Sequence, residues 1–517
     1  MKKIISMILC GCLAASLLAS CGSENGGEST GGNSGGDAVN LKYYFIAKTT
    51  NTEDTKEIQE ALNEVTKEKI NATVELHPLS FNEYPTKMPL MLTTGDDLDI
   101  MTSSNFLSYT SVVQTNGVLA LEDLLPEAAP ELWNMYDQER WDAAKVKGSI
   151  YMVPNYDPSV SYPGFWAIGE LTEKYDFDWE NAESWEDWEP FFDTILEKED
   201  GVTPILSDAD YWGRLWFPGY YGYEGVGSVK APKGQDLVVV KADDPNRKVV
   251  AAPFTDEYKE TIELTRKWYE KGYFLQTPPT EAEMMSLRSE QKFATFAVPF
   301  VGEGDTTAMA ASEWGGATIL QAKIKGKAPI ITTGSATSSG NCVAKASKNP
   351  EKALQFIQLL HTDEYIHNLL NFGIEGKHWV WKDEAKKVIQ YPEGMDAETC
   401  GWVPNTTYQF GNKAALQYFQ TEAEVDTSSR VEEAMKSAVY SELMGFVADP
   451  EPVKNQLAAI STVCQEYAEP LERGLVDPND PDKGLAAFQQ KLKEAGIDEV
   501  VAEFQSQIDA WASENGK

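Results

Sequence analysis

The chain has 517 residues, 42% of them hydrophobic, and its 44 basic against 81 acidic side chains give a net charge of −37. It is too long for a single core, apolar enough to fold, and too acidic to favour nucleic acid or an anionic membrane surface as a partner. Four histidines and the absence of a Cys-x-x-Cys pair argue against a zinc site, and no cofactor or metal is expected.

The first element is an export signal. Met1-Lys2-Lys3 is cationic, Ile4 to Leu18 is apolar, and Ala19-Ser20-Cys21 supplies small residues at a cut. The apolar run is shorter than the roughly 20 residues that a spanning helix needs. One reading is an ordinary secretory signal cut near Ser20. The other rests on Leu18-Ala19-Ser20-Cys21, which resembles the bacterial lipobox and implies removal of residues 1–20 and lipidation of Cys21. Gly22 to Asn40, GSENGGESTGGNSGGDAVN, has almost nothing to bury and reads as a flexible tether reaching about 25 Å. Of the six cysteines, Cys10 and Cys12 leave with the signal; Cys342, Cys400 and Cys464 stay, with spacing that fits three buried thiols or one bridge.

The body opens with a strand, Leu41 to Ile46, then an amphipathic helix from Thr52 to Lys69 with Ile58, Leu62 and Val65 on one face. A strand at Ala72 to Leu76, a helix at Tyr84 to Leu92 and a strand at Asp99 to Met101 follow. This alternation predicts an α/β lobe with a parallel sheet. Gly148 to Pro154 reads as a further strand. Later come a helix over Thr255 to Lys271, a strand over Phe293 to Phe300, and a helix over Asn349 to Leu370 with Pro350 at its first position. Helices dominate from about Arg430 to Trp511, and Gly496 looks like a helix stop. Ser184 with Asp187 suggests a cap, and Trp179, Trp185 and Trp188 read as structural. Asp477 to Gly484 resembles a calcium loop, but Pro481 falls where a ligand belongs, so it reads as a turn.

Four stretches resemble the extracellular solute-binding proteins of ABC importers, in the order of that family: Gly95-Asp96-Asp97-Leu98-Asp99-Ile100, with Leu98 in place of the usual Pro; Asn116 to Leu124; Lys147 to Pro154; and Lys348-Asn349-Pro350-Glu351-Lys352-Ala353. The region from Asn371 resembles a domain of unknown function that forms the C-terminal part of some Gram-positive lipoproteins of this class. The resemblance implies a type II periplasmic-binding-protein-like fold of two hinged α/β lobes. Lobe one would be 41–157 rejoined at about 340–375, lobe two 158–339, and 376–517 a mostly helical region packed on lobe two. It further implies a monomer, lipid-anchored on the outer face of the cell membrane, that captures a carbohydrate and hands it to permease subunits. The same role for a peptide or other small solute, a secreted glycan-active enzyme and a surface adhesin stay open.

Carbohydrate capture needs aromatic faces for pyranose rings and fixed polar groups for hydroxyls. Tyr211 to Tyr223 holds seven aromatics in thirteen positions. Trp212, Trp216, Tyr220 and Tyr221 offer stacking faces there, unless they fill the lobe's own core. Crevices in open α/β sheets lie beyond the carboxyl ends of strands, which nominates Asn51 and the run Ser103, Ser104, Asn105, each with a helix cap as the bland alternative. Tyr156 and Asp157 end the Gly148–Pro154 segment near the presumed hinge; a turn is the alternative. Glu303 follows the Phe293–Phe300 strand, where a solvated carboxylate is the competing reading. Trp379 and Trp402 either close over a ligand or pack in a core.

Overall fold

The computed structural model describes residues 38–516, except 105, 158–161, 207–217, 228–235, 303–305, 307–309, 311–312 and 405. Cys21 and most of the expected tether lie outside these residues. Val39 and Asn40 belong to the first strand instead.

The two main sheets take nine strands: β1 Val39–Ile46, β2 Ala72–Leu79, β3 Ile100–Ser103, β4 Val153–Pro154, β5 Tyr162–Ile168, β6 Thr203–Leu206, β7 Phe293–Val301, β8 Ile319–Lys323 and β9 Gly340–Val343. Lobe one orders its strands β2-β1-β3-β9-β4. β1 runs parallel to β2 and β3, while the returning β9 is antiparallel to β3 and β4. β1 is buried on both faces, as a central strand between helical layers must be. Alternate side chains divide between two cores: Leu41, Tyr43 and Phe45 meet Ile58 and Leu62 of the helix Thr52–Ile70, whereas Tyr44 and Ile46 meet Tyr84 and Met88 on the other side. The helix expected over 349–370 is two, Pro350–Thr362 and Glu364–Phe372. Asp363 ends the first and caps the second, its carboxylate accepting from the Ile366 N–H at 2.9 Å. The strand expected over 148–154 is interrupted. Lys147 and Gly148, at φ +53° and +85°, form a tight turn between Lys145–Val146 and Ser149–Ile150, so only Val153–Pro154 reaches the main sheet.

Lobe two orders its strands β8-β5-β7-β6. Phe165 on one face packs edge-on against Trp185 and Trp188, and Phe293 and Phe296 on the other against Trp314. Trp185 and Trp188 are thus structural, and Asp187 caps its turn by accepting from the Glu183 and Ser184 N–H groups. A smaller sheet, Tyr223–Gly225, Val238–Lys241 and Val250–Ala251, joins this lobe to the C-terminal helices. Val238 and Val240 share one core with Ile460, Phe488 and Phe504. Gly496, at φ +89°, separates the last two helices.

Residues 376–420 correct the expected division: they pack on lobe one, not on lobe two. Trp402 and Val403 pair antiparallel with Thr49 and Thr50, and Trp402 and Phe410 close on Phe45. The backbone of Ile46 is held by Gln409, which accepts from its N–H and donates to its carbonyl at 2.9 and 2.8 Å. The apolar bulk of Trp402 and Phe410 completes the lobe-one core, and that decides the side. From Leu443 onward the chain shares a core with the small sheet and the helix Asp256–Lys271 of lobe two. Cys342, Cys400 and Cys464 are free, buried thiols.

Candidate functional site

The chain passes between the lobes three times: between Pro154 and Tyr162, between Lys323 and Gly340, and between Phe419 and Leu443. These passages are tied to one another. Ile330 and Ile331 of the second pair in parallel with Val439 and Tyr440 of the third. Asn155, at the start of the first, is buried and donates to the Ser339 hydroxyl and the Tyr408 carbonyl, both at 2.9 Å. Its carbonyl oxygen accepts from the Asn341 amide at 3.0 Å and from the Gly411 N–H at 3.2 Å. A hinge wired this way resists twisting while leaving the lobes free to bend.

The carboxyl ends of β1 and β3 point to this hinge. So does one edge of the lobe-two sheet: Val301 lies level with Tyr162, and β6 runs parallel to β7. β6 and β7 therefore both end facing lobe one.

A cavity of about 640 Å³ spans the gap. Lobe one contributes Ser104 and Thr110, the second passage Thr333, Thr337 and Ser338, lobe two Glu224 and Asp236, the end of the third passage Leu443, and the segment after it Phe446. Its polar wall is pre-set. The Thr333 hydroxyl donates to the Leu443 carbonyl at 3.1 Å and accepts from the Gly445 N–H at 2.9 Å. Ser441 donates to the Glu224 carboxyl. Burial outweighs that hydrogen bond and pushes the Glu224 carboxyl up from 4.5 to about 7. Because the folded value exceeds the unfolded one, the unfolded chain loses its proton first. Stability from this group is therefore complete at acid pH and falls as pH rises from about 4.5 to about 7. Glu224→Gln should flatten the fall in melting temperature across that window, and an unchanged slope would remove Glu224 as its source.

Glu224 and Asp236 both line this cavity. A methyl group added at Gly225, next to Glu224, would meet the Asp236 carboxyl carbon at 2.1 Å. What these groups can do is accept from ligand hydroxyls beside the Ser and Thr donors.

Of the nominated residues, Ser104 reaches this cavity. Asn105, Trp212, Trp216 and Glu303 lie outside the described residues. Seven of the others are placed elsewhere, as corrections. Ser103 is buried behind Ser104 and donates to the Leu107 carbonyl. Asn51 caps its helix through the Asp54 N–H at 2.8 Å. Asp157 pairs with Lys413 at 3.0 Å. Tyr220 stacks on Trp185 at 4.9 Å, and the Tyr221 hydroxyl meets that of Thr261 at 2.6 Å, so both serve the lobe-two packing. Trp379 is buried against Trp381 and Tyr418 and donates to the Gly373 carbonyl; Trp402 is 1% exposed. Tyr156 lines a separate hinge cavity of about 340 Å³, where the Arg140 guanidinium lies between its ring and that of Tyr136 at 4.7 and 4.8 Å.

Glu224, Asp236 and Thr333 escaped the sequence reading. The run Thr332-Thr333-Gly334-Ser335-Ala336-Thr337-Ser338-Ser339 was a usable signal, because so many hydroxyls in one connecting segment suit a polyhydroxylated guest.

Residues 442–513 match the family model described as Domain of unknown function (DUF3502), which places its start well beyond Asn371. The chain is 26% identical over 504 residues to a carbohydrate ABC transporter substrate-binding protein of Streptococcus pneumoniae, covering 96% of each. Its fold matches the crystal structure of an N-glycan transport solute binding protein (NgtS) from the same species, at TM-score 0.76 and 23% identity over 93% of this chain and 100% of that one. Complexes of that protein with Man1GlcNAc and Man5GlcNAc match at TM-scores of 0.64 and 0.60, with 23% identity over 92% of this chain and 99% of each. The two-lobed type II periplasmic-binding fold is therefore that of this chain.

Proposed function

From a chain with the fold of solute-binding proteins, and with a carbohydrate-transport relative along 96% of its length, we infer capture of an oligosaccharide between the lobes and its delivery, unaltered, to the permease of an ABC importer. The observation that carries this reading is the hydroxyl- and carboxyl-lined cavity whose walls come from both lobes and from two of the passages joining them. Its volume lies in the 300–1,000 Å³ range of small-molecule sites. Trp212 and Trp216 follow β6 in sequence and Glu303 follows β7; in this reading they add ligand contacts from the lobe-two side, and Asn105 does so beside Ser104.

The lipobox-like Leu18–Cys21 supports anchoring on the outer membrane face, by diacylation of Cys21 after removal of residues 1–20. Burial of acyl CH₂ groups, at about 0.8 kcal/mol each, would hold it there. Metabolic labelling with a palmitate analogue, lost in Cys21→Ala, tests the anchor.

Thermal-shift screening against mono-, di- and oligosaccharides, with recovery of the bound sugar, tests capture. A ligand at 100 times its dissociation constant should add about 2.7 kcal/mol of stability and be recovered intact. Stabilisation by peptides alone would move the reading to another solute. Cleaved sugar would make the protein an enzyme.

A further inference from the structure

A second cavity, about 1130 Å³, adjoins the first. Thr110, Gln114, Val146 and Phe446 line both, so the two form one groove. One outer wall is lobe one, with Gln114, Asn116 and Tyr151. The other is the C-terminal segment, with Phe446, Val447 and, on the last helix, Trp511. Phe446 and Trp511 stand edge to face at 5.7 Å, each half-exposed, and Val447 is 39% exposed. An apolar strip thus runs along that wall, with amides among the lining residues.

The walls discriminate among occupants. The helices Tyr109–Gln114 and Ile497–Glu514 present side chains, not backbone, to the groove. Lys145 and Lys147 are outnumbered by Asp142, Asp449, Glu503 and Glu514, and Lys145 is held by Asp142 at 2.8 Å, so an anion is not favoured. A neutral chain with apolar ring faces and hydroxyl edges fits both strip and amides. We propose that the C-terminal helical segment is part of the ligand site and takes the outer arm of an oligosaccharide whose inner residues lie between the lobes. This rests on the capture reading. Because one wall belongs to lobe one and the other to helices packed with lobe two, the arm is gripped only when the lobes come together on it.

Calorimetric titration of the whole protein with Man1GlcNAc and Man5GlcNAc tests it. The unaltered protein should bind the longer glycan more tightly. Trp511→Ala should weaken Man5GlcNAc about tenfold and leave Man1GlcNAc unchanged. Ala510→Trp, at an exposed position of the last helix that lines the outer cavity alone, should produce the same selective loss by filling the groove. Full Man5GlcNAc affinity in both variants overturns the outer arm and leaves capture standing. So does an equal loss of both glycans in Trp511→Ala with none in Ala510→Trp, which would mark Trp511 as packing. If neither glycan binds the unaltered protein, capture of this glycan class fails and the outer arm fails with it.

Discussion

Trp402→Ala is expected to cost lobe one about 3–5 kcal/mol while leaving the sugar affinity of the folded fraction unchanged. Trp402 is 1% exposed, its ring lies 6.3 Å from that of Phe45, and its indole N–H donates to the Leu370 carbonyl at 3.0 Å. Truncation leaves both a cavity and a buried carbonyl without its donor, and the close packing around β1 limits collapse. Denaturant unfolding with titration of the native protein checks this. Normal stability with lost affinity would return Trp402 to the ligand site.

Asn155→Leu should be nearly as damaging, by a different route. The shape is kept, but the Gly411 N–H and one amide hydrogen of Asn341 lose their acceptor in a buried environment. At about 1–3 kcal/mol for each orphaned group, a total on the order of 3 kcal/mol is expected. The loss falls on the hinge, so the affinity of any sugar that closes the lobes should fall as well. Hydrogen exchange at the Gly411 amide gives the local readout. Unchanged protection there would mean that backbone hydrogen bonds alone hold the passages together.

Legibility followed the range of the interactions. Helix 52–70, strands β1 and β7 and the N1 proline at 350 could be read because hydrophobic period and capping are properties of near neighbours. The break at Asp363 was also local in cause, since Asp is a strong cap, yet the apolar pattern ran straight through it. Aromatic residues were the hard case. Tyr220, Trp379 and Trp402 have the composition of a sugar platform and the burial of a core. The two differ only in what stands opposite, which is set by residues far away in the chain.

By itself, the sequence determined the α/β class, the two-lobed order of elements and the acidic character of the chain. These depend on local pattern and on motif order. Tertiary structure alone decided that 376–420 completes lobe one, that Asn155 joins the passages, and that Glu224, Thr333 and Phe446 meet Ser104 around one cavity. Those residues lie as much as 342 positions apart in numbering, from Ser104 to Phe446, and no periodicity carries information over such a distance. Only the burial of two cores and the bonds between three passages bring them together.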